Sequence, residues 1–124
     1  MKLETKIYDK LKKVLPLVFD KIVLYANVGE SSYDIHYYLL TGEGAAPKQC
    51  YTLAEEGMAD ANLLDEAFAA IAAFIREDSR FEKGKINLVT VVITPEGLTI
   101  EYQTEDRLTN MAKLKKSWKA KYLQ

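Results

Sequence analysis

The 124-residue sequence has few of the residues that form disulfides or metal sites, since it contains one cysteine, Cys50, and one histidine, His36. A single cysteine excludes an intramolecular disulfide, and it favours a reducing, cytoplasmic location over secretion. One histidine and one cysteine also fall short of the three or four nitrogen and sulfur ligands of a usual zinc site. We therefore expect neither a metal nor a cofactor.

Long hydrophobic runs are also lacking. The longest apolar stretch, Ala67 to Ile75, is far shorter than the roughly 20 residues that a membrane span requires. No apolar segment typical of a signal peptide follows the first residues, so we expect no secretory signal. A length of 124 residues with 48% hydrophobic residues suits one ordinary globular domain over 1–124, without a membrane partner.

A strong net charge is absent, yet the charges are unevenly distributed along the chain. The formal net charge is −1, but residues 30–82 hold eleven acidic side chains and three basic ones. Residues 107–124 hold six basic side chains and no acidic one. An acidic middle segment can meet a basic partner, because complementary charge raises the encounter rate and rejects wrong partners. Solvated helix faces that keep the protein soluble are the simpler explanation.

Hydrophobic periodicity divides the first half of the chain into a helix and a hairpin. Apolar residues at helical spacing from Leu3 to Leu15 predict an amphipathic helix that ends near Pro16. Residues 21–28 and 33–40 are rich in β-branched and aromatic side chains and are separated by a Gly-Glu-Ser-Ser turn, which predicts a hairpin. After a loop over 41–47, Gln49 to Leu53 could add a short third strand.

The second half is also predicted to begin with a helix and a hairpin. Asp60 or Asn62 is expected to cap a second helix, whose inner face carries five apolar side chains: Leu64, Ala67, Phe68, Ile71 and Ile75. Ile86 to Ile93 and Leu98 to Gln103 predict a second hairpin, and a stripe from Met111 to Tyr122 predicts a closing helix that begins near Leu108. The order α-β-β-(β)-α-β-β-α predicts an α+β fold, with three helices and a mainly antiparallel sheet of about four to five strands.

Two patterns suggest functions other than protein binding. If their strands pair, His36 could activate Cys50 as a nucleophile in a small enzyme, since a thiolate needs an adjacent base or positive charge. The lysines of the closing helix, with Trp118 and Tyr122 among them, could follow a phosphate backbone and stack on bases. The same two aromatic residues lie on the apolar stripe, and the near-neutral total charge is not typical of a nucleic-acid-binding domain.

Seven segments spread over nearly the whole chain carry a family resemblance: Ile7-Tyr8-Asp9-Lys10-Leu11, Leu15-Pro16, Ile22 to Val28, Ile35-His36-Tyr37-Tyr38, Leu88 to Ile93, Leu98 to Tyr102 and Trp118 to Leu123. In these segments the sequence resembles the YezG-like immunity protein family. The resemblance implies a small cytoplasmic antitoxin, not an enzyme, that binds and blocks a bacterial toxin, commonly a nuclease. It implies no motif-defined site.

The expected partner-binding residues are acidic and aromatic side chains. A nuclease binds phosphates and is basic near its active site, so an acidic inhibitor surface would match it. The expected partner is a cognate protein toxin bound one-to-one, and a homodimer is also possible. The candidate residues are six acidic side chains, Asp34, Glu55, Glu56, Asp60, Asp65 and Glu66, and two aromatic anchors, Tyr33 and Tyr38.

Overall fold

A computed structural model describes residues 2–16, 18–42, 46–104 and 111–123 of the chain. Within these residues, five strands form one antiparallel sheet, and the α+β class expected from the sequence is confirmed. The strands are β1 (Lys21–Val28), β2 (Tyr33–Leu40), β3 (Lys48–Gln49), β4 (Leu88–Thr94) and β5 (Gly97–Gln103). The helices are α1 (Leu3–Leu11), α2 (Cys50–Glu55), α3 (Ala61–Glu77), α4 (Ser79–Glu82) and α5 (Met111–Tyr122). None of the helices in the described ranges has the length and apolar character needed to cross a membrane.

The sheet has the strand order β3-β2-β1-β4-β5, with β1 at its centre. Both expected hairpins are present: β1 pairs with β2 from Lys21↔Leu40 to Val28↔Tyr33, and β4 pairs with β5. β1 also pairs with β4, so both of its edges are hydrogen-bonded, and every residue from Ile22 to Val28 is buried. The continuous apolar run in this segment follows from burial on both faces of the sheet.

The first face of the sheet, which we call the helical face, is covered by α1, α2 and α3. All five apolar residues predicted for the inner face of the second helix are buried in α3, where they join Leu24, Ala26 and Tyr37 in the main core. Asp60 caps this helix, because its carboxylate accepts hydrogen bonds from the backbone N–H groups of Asn62 and Leu63 at 2.9 and 3.2 Å. The capping prediction is therefore confirmed for Asp60.

The opposite face, which we call the α5 face, carries a smaller apolar cluster of Val23, Tyr25, Tyr38, Leu88 and Trp118. The side chains of a strand alternate between the two faces, so β1 and β2 contribute to both clusters. The predicted closing helix is confirmed as α5, with Trp118 only 4% exposed. The predicted start near Leu108 lies outside the described residues.

The structure differs from the sequence predictions at several points. The described residues contain five helices rather than three, because α2 and the four-residue α4 were not predicted, and β4 begins at Leu88 rather than Ile86. α1 ends at Leu11 rather than near Pro16. Val14 lies beyond the end of the helix, and its backbone carbonyl accepts a 2.7 Å hydrogen bond from the Tyr37 hydroxyl. The third strand contains only Lys48 and Gln49, and the residues from Cys50 onward form α2 instead. Burial of Cys50 and Leu53, three positions apart, suits a helix rather than a strand and outweighs the strand preference of the tyrosine and threonine between them.

Candidate partner-binding surface

The eight residues proposed from the sequence do not form one surface, because the sheet separates them. Six lie on the helical side: Tyr33, Glu55, Glu56, Asp60, Asp65 and Glu66. Asp34 and Tyr38 lie on the α5 face, where they contact residues of α5. A single partner surface can therefore include only the first group.

Helices α2 and α3 lie side by side and present acidic side chains to solvent. The Tyr51 hydroxyl of α2 donates a 2.6 Å hydrogen bond to the Asp65 carboxylate of α3. Glu55 lies one turn beyond Tyr51 on α2, so it is exposed on the side of α2 that faces α3. Burial, followed by the neighbouring Asp65 carboxylate, raises the pKa of Tyr51 well above its usual range, so this hydroxyl stays protonated and continues to donate.

Glu66 lies on the other flank of α3, towards α1. It lines a groove of about 150 Å³ together with Lys10, Lys13, Val14 and Leu63. Among the described residues, no basic side chain forms an ion pair with Glu66 or with Glu55, so both carboxylates are available to a basic partner. The two lysines of the groove make the charge mixed on this flank, whereas the flank next to α2 is acidic.

Two of the predicted acidic residues already have structural partners. Asp60 caps α3, and the carboxylate of Glu56 accepts hydrogen bonds from the Lys48 ammonium at 3.0 Å. Both remain exposed and add negative charge to the surface. Their replacement would change local structure as well as charge, so they are poor probes of partner binding.

Two exposed apolar side chains that were not predicted from the sequence lie in α3 and in the connection between α2 and α3. Met58, in the connection between α2 and α3, is 55% exposed, and Leu63 in the first turn of α3 is 49% exposed. Leu63 could have been found from the sequence, since it precedes the buried stripe that begins at Leu64 and must point away from it. We call Glu55, Met58, Leu63, Asp65 and Glu66 together the α2–α3 surface. It combines exposed apolar anchors with a charged periphery, as protein interfaces do.

Tyr33 is the aromatic candidate that remains accessible. Its side chain is 40% exposed, and the Arg76 guanidinium lies 6.0 Å from its ring centroid. Arg76 also donates to the carbonyls of Gly29 and Ser32 at 2.8 and 3.0 Å, which fixes the C-terminal end of α3 on the β1–β2 turn. Tyr33 therefore lies at the opposite end of α3 from Leu63.

Asp34 attaches α5 to the sheet. One carboxylate oxygen lies 3.2 Å from Nδ1 of His36, and the other lies 2.7 Å from the Lys115 ammonium. The hydrogen bond with His36, followed by that with Lys115, lowers the pKa of Asp34 to about 2. Since both oxygens are engaged within the chain, Asp34 is better explained as an intramolecular anchor than as a partner contact.

Tyr38 of β2 and Trp118 of α5 are buried together between α5 and the sheet. Contrary to the expectation of an exposed anchor, Tyr38 is only 6% exposed, and its ring centroid lies 5.9 Å from that of Trp118. The Trp118 indole N–H donates a 2.9 Å hydrogen bond to the Thr90 hydroxyl, and its ring meets Tyr25 edge-on at 4.9 Å. A buried and hydrogen-bonded indole cannot serve as a platform for stacked bases.

The Cys50 and His36 side chains lie on opposite faces of the sheet. Cys50 belongs to the core of the helical face, whereas the His36 ring stacks on Tyr25 at 5.3 Å and meets Tyr38 edge-on at 5.2 Å. Burial raises the pKa of the Cys50 thiol to about 11. The structure therefore does not support the alternative Cys50–His36 dyad, because the thiol is buried, protonated at neutral pH and separated from the only histidine in the sequence.

In the part of the chain that the structure describes, no three side chains of histidine, cysteine, aspartate or glutamate are arranged to hold a metal ion. Comparison with protein-family models gives no match, and no curated protein matches the chain.

Proposed function

We propose that this protein is a cytoplasmic immunity protein that binds a cognate bacterial toxin one-to-one, most simply a nuclease, and blocks it without chemistry of its own. The observation that carries the proposal is the α2–α3 surface, where Met58 and Leu63 are exposed and the carboxylates of Glu55 and Glu66 form no ion pair within the described residues. Glutamate in this setting attracts a basic partner, and the apolar side chains supply contact area once the partner has docked.

A nuclease is a suitable partner class because its substrate is a polyanion. The protein surface that binds phosphates is basic, and it is the surface whose coverage stops the reaction. An acidic inhibitor surface that occupies this position excludes the nucleic acid both sterically and electrostatically. The resemblance to the YezG-like immunity family supports the same partner class.

The helices that carry the α2–α3 surface are held in place by hydrogen bonds, as suits a rigid inhibitor. The Tyr51–Asp65 hydrogen bond joins α2 to α3, and Asp60 caps α3 next to the connection that carries Met58. A surface that is ordered before binding loses less conformational entropy on association, so more of the contact energy appears as affinity. The partner-facing carboxylates are thus held by helices rather than by a long loop.

The proposal is tested by neutralisation. The toxic domain of a partner captured from the native host's lysate is expressed in a host cell with the wild-type protein, with Leu63→Asp or with Val18→Asp, a control at an apolar side chain that is 84% exposed and lies outside this surface. We expect wild type and the Val18 control to protect the cells and Leu63→Asp to protect poorly, since it removes an apolar anchor at an exposed position. Equal protection by all three proteins would exclude the α2–α3 surface, and no protection by wild type would exclude the function.

A further inference from the structure

Among the described residues, the outer side of β5 is the longest sheet edge without a strand partner. β5 pairs with β4 from Thr94↔Gly97 to Leu88↔Gln103, and no other described segment pairs with its outer side. At the opposite edge, the two-residue strand β3 pairs with Tyr38 and Leu39 of β2 and continues directly into α2, which leaves the shorter stretch from Tyr33 to Tyr37 without a strand partner on that side. An edge strand exposes alternate backbone N–H and C=O groups, which pair readily with another strand.

β5 carries one charged side chain, Glu101, but lacks the other usual protections of an edge strand. Its seven residues include no proline and no lysine, and the register with β4 runs without a bulge. On the helical side, Leu98, Ile100 and Tyr102 form an apolar row that is only half-buried. The outer part of this row is therefore accessible to a further strand.

We propose that β5 pairs antiparallel with β5 of a second copy of this chain, so that the two sheets join into one across a twofold axis at Ile100. A twofold axis perpendicular to the sheet keeps the helical side of both copies on the same face. In this register Ile100 faces Ile100, and Leu98 faces Tyr102 of the second copy. Each apolar side chain of one row then contacts an apolar side chain of the other.

The charges favour this register over its neighbours. With the axis at Ile100, Glu101 faces Thr99 of the second copy, whereas a shift of the axis to Glu101 would place two glutamates directly opposite each other. Glu101 is also partly neutralised within its own chain, since it accepts a hydrogen bond from the Tyr122 hydroxyl and lies 3.9 Å from the Lys121 ammonium. The register at Ile100 is thus free of directly opposed like charges.

A groove beside the edge adds contact area. It has a volume of about 420 Å³ and is lined by Tyr8 of α1 and by Ile93, Pro95 and Leu98 of the second hairpin, with Tyr8 40% exposed. The proposed register places Tyr102 of the second copy next to Leu98 at the border of this groove. A stable interface buries about 800 Å² per partner, more than one strand edge offers, so we expect a dissociation constant in the micromolar range.

Thr99 provides the test, because it is exposed and faces Glu101 only in the dimer. Sedimentation analysis over a concentration series compares wild type with Thr99→Glu, Thr99→Lys and the neutral control Thr99→Gln. Relative to the control, Thr99→Glu should raise the dissociation constant and Thr99→Lys should lower it, each by roughly fivefold, since every dimer contains two such pairs. Circular dichroism confirms that the variants remain folded.

A direct contact is measured on the wild-type protein by isotope-filtered NMR. Mixed samples of labelled and unlabelled chain should give an intermolecular NOE between the Ile100 methyl groups. A wild-type monomer at every concentration would overturn the proposal. A dimer that responds equally to all three Thr99 variants and lacks this NOE would also overturn it, because self-association would then use another surface. Protection of β5 amides that appears only with a captured toxin would assign the edge to that partner instead.

Discussion

The Trp118 indole of α5 donates a 2.9 Å hydrogen bond to the Thr90 hydroxyl of β4, and both residues are almost completely buried. This bond fixes the rotation of α5 on the sheet, since Trp118 also contacts Tyr25 and Tyr38 on the two strands beyond β4. The basic C-terminal helix is therefore part of the folded core, and its lysines lie on the opposite side of the sheet from the α2–α3 surface.

Replacement of Trp118 by phenylalanine should destabilise the protein by about 1–3 kcal/mol, because the Thr90 hydroxyl remains buried without its donor. The free energy of unfolding in urea measures the effect. In the double variant Trp118→Phe/Thr90→Val, the loss should be smaller than the sum of the two single losses, since neither polar partner remains. Strictly additive losses would show that the hydrogen bond is not formed in solution.

Removal of the α3 cap should cost stability without loss of the fold. Asp60→Ala deprives the N–H groups of Asn62 and Leu63 of their acceptor, and we expect a loss of about 1 kcal/mol. Asn62→Ala, an exposed change in the same turn, is the matched control and should alter the free energy of unfolding by less than about 0.5 kcal/mol. Equal effects of the two changes in urea denaturation would contradict the assignment of Asp60 as the cap.

Acid should weaken the attachment of α5 through Asp34. The pKa of Asp34 is about 2 in the folded protein, against an ordinary value of 3.8. As the pH falls, Asp34 is therefore protonated in the unfolded chain before it is protonated in the folded protein. The stabilisation that Asp34 contributes above pH 3.8 is lost between pH 3.8 and about pH 2. Because the carboxylate is 40% exposed, solvent screening keeps the effect small.

Asp34→Asn isolates this contribution from those of other carboxylates. The free energy of unfolding of the variant should fall less steeply than that of wild type across the same pH interval. A parallel pH dependence in the two proteins would show that Asp34 titrates alike in the folded and unfolded states, contrary to the ion pair with Lys115.

Cys50 should react slowly with alkylating reagents in the native protein. The side chain is completely buried, and its pKa of about 11 leaves little thiolate at neutral pH. Modification by iodoacetamide, followed by mass spectrometry, should be much faster in urea than in buffer. Rapid modification of the folded protein would restore the possibility of a nucleophilic cysteine.

The sequence predicted the regular elements well where one periodicity dominates. The alternation in β5 and the helical stripe of α3 both correspond to observed elements, because one face of each segment is apolar. The segment from Cys50 to Leu53 was misjudged as a strand, since its tyrosine and threonine favour strands locally while the core selects a helix. The end of α1 was misplaced because the buried Val14 continues the apolar spacing beyond the last helical turn.

The candidate surface was predictable only in part. Acidic residues in α2 and α3 could be identified from charge, but the face on which Asp34 and Tyr38 lie depends on strand register and on the docking of α5. Long-range contacts determine both, and local sequence does not encode them directly. The separation of Cys50 from His36 depends on the same register, so the dyad could be excluded only from the three-dimensional arrangement.

The proposed binding of a basic protein to the α2–α3 surface is measured by affinity capture from the native host's lysate. The baits are tagged wild type, Glu55→Lys/Glu66→Lys, and a control with matched charge, Glu30→Lys/Glu82→Lys, whose exposed positions lie outside this surface. We predict that wild type and the control capture the same stoichiometric basic partner at low salt, that moderate salt weakens the capture, and that the Glu55/Glu66 variant retains on the order of tenfold less. Equal capture by all three baits, or no basic partner despite confirmed expression of a toxin, would contradict the account.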